Sequence, residues 1–337
     1  MWRNYVNHSQ YQRRLNRATY IVCIGEVSLN HVHASTETGD QFVGSFPGGQ
    51  PFNVACSAAL LGVPVGFLGR FSEDAIGRQL GSLLTSLNIA PVALQFDSDR
   101  PTRTAEVFLN RNGGHERTNF LGSQDVGFAD QALVPETLAE SIMPYLDEAR
   151  WLLVATNSLK ELSNYMAISL LLKRARAQGV CVALDVAWQP SFWGLPPGSA
   201  PSADVLQRFK LLSEAASLIH CTKEEADHFF GTTDATAIHG QLANRPSVLI
   251  PGPTGTIQWC LGGHRGLLAL NSQDDGGSCS QNFLAAVLDG LCSQPELVGK
   301  SAAGSRGLAS AAQVEELLRF ASAYAISSHP LSSNRRL

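Results

Sequence analysis

The sequence predicts an α/β fold of three layers, α/β/α, with a mostly parallel central sheet and a small β lid. Three observations predict it. Short apolar runs rich in β-branched residues recur along the chain, each near a stretch with helical spacing. Two strand-rich insertions, about residues 31–46 and 104–121, break that alternation and read as the lid. A chain of 337 residues that is 44% hydrophobic can also bury a large core.

The elements follow in order. Residues 20–29 form a β-branched apolar run and read as the first strand. Residues 42–46 read as a short strand before the pair Gly48-Gly49. Residues 52–61 carry apolar side chains at helical spacing, and Gly62 ends them. Residues 65–68 are a buried strand and 75–87 a helix. Asn112-Gly113-Gly114 between alternating runs predicts a hairpin over 104–120. Residues 151–155, 180–185 and 216–221 are further short strands. Residues 301–312, rich in alanine, glycine and serine, read as a loop before a helix over 314–327. The predicted organisation is a flexible basic extension over 1–19, one domain over 20–330, and a frayed tail over 331–337.

Bulk properties exclude several classes. A formal charge of −4 argues against a nucleic-acid-binding surface. No apolar run approaches the roughly 18 residues that span a bilayer. The seven cysteines are scattered, with no C-x-x-C pair. That pattern argues against zinc and disulfide frameworks and favours a reducing compartment, the cytoplasm. Arg3, Arg13, Arg14 and Arg17 precede the first acid, Glu26. This start reads either as an organelle-targeting segment or as a disordered extension. His31 and His33 alternate on one strand face; two histidines without a third ligand read as lid surface rather than a metal site. Cys279 beside a helix start would have a lowered thiol pKa.

Two motifs carry chemistry. Pro47-Gly48-Gly49-Gln50-Pro51-Phe52-Asn53 precedes a helix. Asp275-Gly276-Gly277-Ser278-Cys279-Ser280-Gln281-Asn282-Phe283 opens another. Asp185-Val186-Ala187-Trp188-Gln189-Pro190, Thr222-Lys223-Glu224-Glu225 and Phe230-Gly231-Thr232-Thr233-Asp234 lie between them in order. Together these segments resemble the ribokinase/PfkB carbohydrate kinase family, closest to fructokinase-like members from cyanobacteria and plants. The resemblance runs from about residue 21 to about 330 and implies a ribokinase-like fold.

The resemblance implies a sugar site. Gly48 and Gly49 would let backbone approach a ligand, and the Asn53 amide would meet sugar hydroxyls. Asn30 stands where the family carries an aspartate. Its neutral amide bonds hydroxyls more weakly than a carboxylate. Arg103, after Thr102, either reaches substrate or pairs with a surface acid. Glu73-Asp74 matches a further family segment.

The phosphate side departs from the pattern. Family members read G-A-G-D where this chain has Ser278, Cys279, Ser280 and Gln281. The family's glycines form an anion hole at a helix N-terminus, and its aspartate takes the proton of the attacking hydroxyl. An amide cannot do so, and general-base assistance is worth about 10²–10⁴-fold. Asp274 and Asp275 fall on the wrong side of the helix start to replace it. Glu225 matches the residue that organises magnesium through water. Gly252 and Gly255 remain of a nucleotide-binding turn that Pro251 and Pro253 stiffen. Ala187 and Gln189 replace an asparagine and an arginine.

These departures favour a pseudokinase that acts as a sugar-binding, regulatory or scaffold protein. The alternative is an active, fructokinase-like ATP-dependent sugar kinase that uses ATP and Mg2+. Expected partners are a small sugar, a second copy through the β lid, or another protein.

Overall fold

In the computed structural model, the described residues are 20–36, 39–109, 115–117, 120, 126–252, 255–269, 280–298 and 310–327. The expectations for residues 1–19, the hairpin tip, the loop before 310 and the tail lie outside them.

The strands are β1 Tyr20–Ile24, β2 Ser28–Thr36, β3 Gly39–Gly48, β4 Val65–Leu68, β5 Arg70–Ser72, β6 Ala90–Pro91, β7 Gln95–Asp97, β8 Arg103–Leu109, β9 His115–Arg117, β10 Ala149–Ala155, β11 Cys181–Asp185, β12 Leu218–His220, β13 Ser247–Pro251, β14 Thr256–Leu261 and β15 His264–Ala269. The helices are α1 Gln50–Leu60, α2 Ala75–Ser86, α3 Pro135–Ser141, α4 Met143–Glu148, α5 Leu162–Ala177, α6 Ala203–Ala215, α7 Lys223–Phe230, α8 Ala235–Gln241, α9 Ser280–Ser293 and α10 Ala311–Ser327.

Nine strands form the central sheet in the order β15-β14-β13-β12-β11-β10-β1-β4-β6. Strands β13 through β6 run parallel; β14 and β15 add an antiparallel edge. Side chains alternate across each strand. Ile21 and Cys23 of β1 therefore join α1, α9 and α10 in one core, while Val22 and Ile24 join the α3–α6 side in the other. This is the predicted three-layer α/β/α fold.

A second sheet, β3-β2-β8-β9, is the lid. Sequence had read 20–29 as one strand. It is two strands in two sheets, because Gly25 (φ +154°) turns the chain out of β1. The lid therefore begins at Ser28, earlier than expected. His31 Nδ1 meets Ser45 Oγ at 2.9 Å and His33 Nε2 meets Glu106 Oε2 at 2.6 Å, so both rings serve lid packing. No helix among the described residues is long and apolar enough to cross a membrane.

Candidate active site

The parallel strands deliver their C-terminal ends to one edge of the sheet, where open α/β sheets carry their ligands. The first wall of the candidate site lies between the lid and α1. Gly48 ends β3 and Gly49 caps α1. A Cβ at Gly48 would collide with Ser28 Oγ and lie 2.7 Å from Asn30 Nδ2. Gly49 sits at φ +96°, and a Cβ there would collide with the Glu26 carbonyl. Both glycines are thus required by close packing of the chain on itself. Asn30 is 9% exposed and Ser28 fully buried. Asn30 Oδ1 and Ser28 Oγ have no hydrogen-bond partner among the described residues. Asn53 is half-buried in the first turn of α1, where its N–H donates to the Gly49 carbonyl at 3.0 Å.

Glu26 lies under this wall. The Ser158 hydroxyl donates to its Oε2 at 2.8 Å and the Gln50 N–H to its Oε1 at 3.3 Å. Burial pushes its carboxyl above the usual range, against the pull of these bonds.

Arg103 corrects one expectation. The acid it meets is not on the surface. It forms a bidentate pair with Asp130, at 3.0 and 3.1 Å, and both are buried. Its guanidinium carbon also lies 4.4 Å from the ring centroids of Phe120 and Phe128 and 4.5 Å from that of Phe192. The cation is held by charge and by aromatic faces together. A cavity of about 930 Å³ opens beside this cluster, bounded by Arg103, Phe128 and Phe192. Asp74, from the matched Glu73-Asp74 segment, caps α2. Its carboxylate accepts from Gly77 N–H at 2.6 Å and from the N–H and hydroxyl of Thr102, each at 2.7 Å. Burial alone would raise its pKa, but these hydrogen bonds outweigh burial and lower it.

The second wall is the start of α9. Gln281 Nε2 donates to Gln50 Oε1, so this amide ties the start of α9 to the start of α1. Ser280 is the first residue of α9. Its hydroxyl lies 3.4 Å from His220 Nε2, and His220 Nδ1 lies 2.9 Å from Asp185 Oδ1. Ser278, Cys279, Asp274 and Asp275 lie outside the described residues.

The residues expected on a nucleotide side stand at the same edge. Glu225 forms a capping box with Thr222: its Oε2 accepts from Thr222 N–H at 2.7 Å, and Thr222 Oγ1 accepts from Glu225 N–H at 3.2 Å. Its Oε1 accepts from Trp188 N–H at 2.6 Å. Burial first, and the nearby Asp185 charge, push this carboxyl up. Both oxygens are thus engaged with backbone. Ala187 adopts φ +45°, a left-handed conformation that costs an alanine about 1–2 kcal/mol and an asparagine less. Asn157 Nδ2 holds it there through the Ala187 carbonyl at 2.8 Å. Gly252, at the end of β13, donates its N–H to the Thr256 carbonyl at 2.6 Å, and Gly255 (φ +68°) leads into β14. Among the described residues no group of three His, Cys, Asp or Glu side chains is placed to hold a metal ion.

Sequence reasoning missed His220. It ends an ordinary apolar strand, and only the register Asp185↔His220 places it beside an acid.

Residues 18–245 match the model of the pfkB family of carbohydrate kinases. The chain belongs to that family. A 5-dehydro-2-deoxygluconokinase of Listeria monocytogenes is 27% identical over 220 residues, which cover 64% of this chain and 63% of that relative. The match thus spans under two thirds of that relative's length. Among solved structures, a fructokinase from Xylella fastidiosa aligns with TM-score 0.74 at 21% identity, covering 92% of each chain. A Vibrio cholerae fructokinase in a fructose-, ADP- and calcium-bound form aligns with TM-score 0.72 at 18% identity, covering 93% of each chain. The fold is that of the fructokinases. The family match ends before α9, so Ser280 and Gln281 lie beyond it.

Proposed function

We propose that this PfkB-family protein is an ATP-dependent sugar kinase that phosphorylates a hydroxyl of a ketose or of a keto-sugar acid. One observation carries the reading: two buried acceptors, Asn30 Oδ1 and Ser28 Oγ, stand without partners among the described residues, against a wall that only glycine permits at residue 48. Buried polar atoms without partners cost about 1–3 kcal/mol each. A polyol supplies the missing donors. Asn53 adds an amide at the same helix start, and the N–H groups of the first turn of α9 suit a phosphoryl oxygen. ATP would arrive with magnesium, near the edge formed by Gly252, Gly255 and Glu225. Residues 20–330 act in this reading as one domain whose lid, β2, β3, β8 and β9, covers the sugar. The names of the relatives suggest the substrates to try: fructose and 5-dehydro-2-deoxygluconate.

The test is turnover of ATP and magnesium by the purified chain across those two compounds and a panel of other ketoses. Turnover of a few per second is expected with at least one compound. No turnover with any of them overturns the reading.

A second reading, a pseudokinase that binds sugar without transferring phosphate, is favoured by one contact. Gln281, at the family's aspartate position, donates to Gln50 and cannot accept a proton from a hydroxyl. It predicts thermal stabilisation by sugar with no turnover.

A further inference from the structure

Three side chains that the sugar-kinase reading leaves unused meet at the first turn of α9. Asp185 ends β11 and His220 ends β12, and the parallel register sets them side by side. His220 Nδ1 lies 2.9 Å from Asp185 Oδ1. An ionised carboxylate only accepts, so this contact places the ring proton on Nδ1 and leaves the Nε2 lone pair free. Nε2 faces the Ser280 hydroxyl at 3.4 Å, a loose contact of the kind seen between base and nucleophile before a ligand binds. Carboxylate, imidazole and hydroxyl therefore follow one another in the order that activates a serine.

Burial supports the same assignment. Asp185 is 3% exposed and His220 1% exposed, whereas Ser280 is half-buried. The hydroxyl is the member that meets a ligand. Asp185 Oδ2 has no partner among the described residues, so the carboxylate is held through Oδ1 by the ring. The Phe283 ring, 5.9 Å away, flanks the imidazole. Ser280 also precedes Gln281, whose bond to Gln50 brings the start of α1 to the same spot.

We propose that Ser280 is an activated nucleophile that takes a phosphoryl group, with His220 as its general base and Asp185 as the residue that positions His220. The nucleoside triphosphate donor is borrowed from the sugar-kinase reading; the activation of Ser280 stands apart from it. Ser280 Oγ forms a bond to the γ-phosphorus. The bond from that phosphorus to the bridging oxygen breaks, and its electron pair leaves on the nucleoside diphosphate. The serine proton passes to His220 Nε2, and the imidazolium is held by Asp185 until the proton leaves to solvent.

The experiment uses the full chain and a fluorophosphonate probe, read by peptide mass spectrometry. Ser280 should be labelled in the native protein and not after unfolding in urea. Ser280→Ala should abolish that label, and His220→Gln should slow it about 10²–10⁴-fold, the usual worth of a general base. Asp185→Asn should slow labelling near neutral pH, with the deficit shrinking as pH rises; a purely structural role would not produce that profile. Glu225 is the other acid whose charge acts on the ring, and Glu225→Gln serves as the control for it. No label on native Ser280, or an equal rate in a folded His220→Gln protein, overturns the proposal. Should that variant fail to fold, the native-against-urea comparison still decides. γ-Labelled ATP with magnesium and no sugar should leave phosphate on Ser280; fluorophosphonate labelling without that transfer overturns the nucleoside triphosphate as donor. Labelling of Ser280 without sugar turnover would sink the sugar-kinase reading alone. Sugar turnover without labelling would sink this one alone.

Discussion

The two walls of the site differ in how they are built. The Gly48-Gly49 wall is mostly backbone and short acceptors. At the α9 wall, the position expected to carry a carboxylate holds an amide tied to another amide, Gln281 to Gln50. Asp185 and His220 stand instead at the ends of two adjacent strands, behind Ser280, the residue before Gln281. The difference teaches that backbone packing and side-chain contacts constrain a site unequally. The wall expected to meet sugar resists change because glycine is required by sterics; the wall expected to meet phosphate rests on side chains, each replaceable singly.

The largest expected effect breaks the sugar wall. Gly49→Val would place a β-branched side chain at φ +96° and against the Glu26 carbonyl. The left-handed conformation costs about 1–2 kcal/mol and the overpacking about 1–3 kcal/mol more. Chemical denaturation should show a loss of about 3 kcal/mol, together with loss of sugar-induced stabilisation.

Next, Asp74→Ala removes the α2 cap that also holds Thr102. It should cost about 1–2 kcal/mol by denaturant titration. The lowered pKa of Asp74 sets the sign with pH. Its contribution is present above the unfolded value, about 4, and is lost as pH falls through the lower folded value. The gap between wild type and variant should therefore narrow below about pH 4. Glu26 has the opposite sign, because its pKa is raised. Its contribution is present below its unfolded pKa and is lost as pH rises through the folded one.

Asn30→Asp sharpens the comparison from the sugar side. A charged acceptor bonds hydroxyls more strongly than a neutral one by about 1 kcal/mol. Titration calorimetry with the best sugar should show about fivefold tighter binding. Ala187→Gly, on the phosphate side, should stabilise the fold by up to about 1 kcal/mol, because glycine adopts φ +45° without the alanine penalty. Gln281→Asp should have the smallest effect. If Ser280 and His220 carry the chemistry, the rate of Ser280 labelling should change less than tenfold; a larger rise would return the base to residue 281.

Much of this was legible from residues in order. The glycine pair before a helical run announced a tight entry into α1, and Gly49 caps that helix. Thr222 and Glu225, three apart before a helix, form the box that spacing implies. Other features were not legible. Arg103 meets Asp130, twenty-seven residues on, and three rings from distant segments. Nothing local distinguishes that arginine from a surface one. Likewise, the run over 20–29 carries Gly25-Glu26 in its middle, and only the strand pairing shows that the chain changes sheets there.

The sequence by itself determined the layers, the strand-and-helix alternation and the glycine turn into α1. These depend on neighbours two to four residues apart, through side-chain alternation and helical spacing. Only the tertiary structure decided which strand ends lie side by side, and so which acid, ring and hydroxyl meet. Asp185, His220 and Ser280 are far apart in the chain, and their meeting is set by strand order and register, which no local pattern encodes.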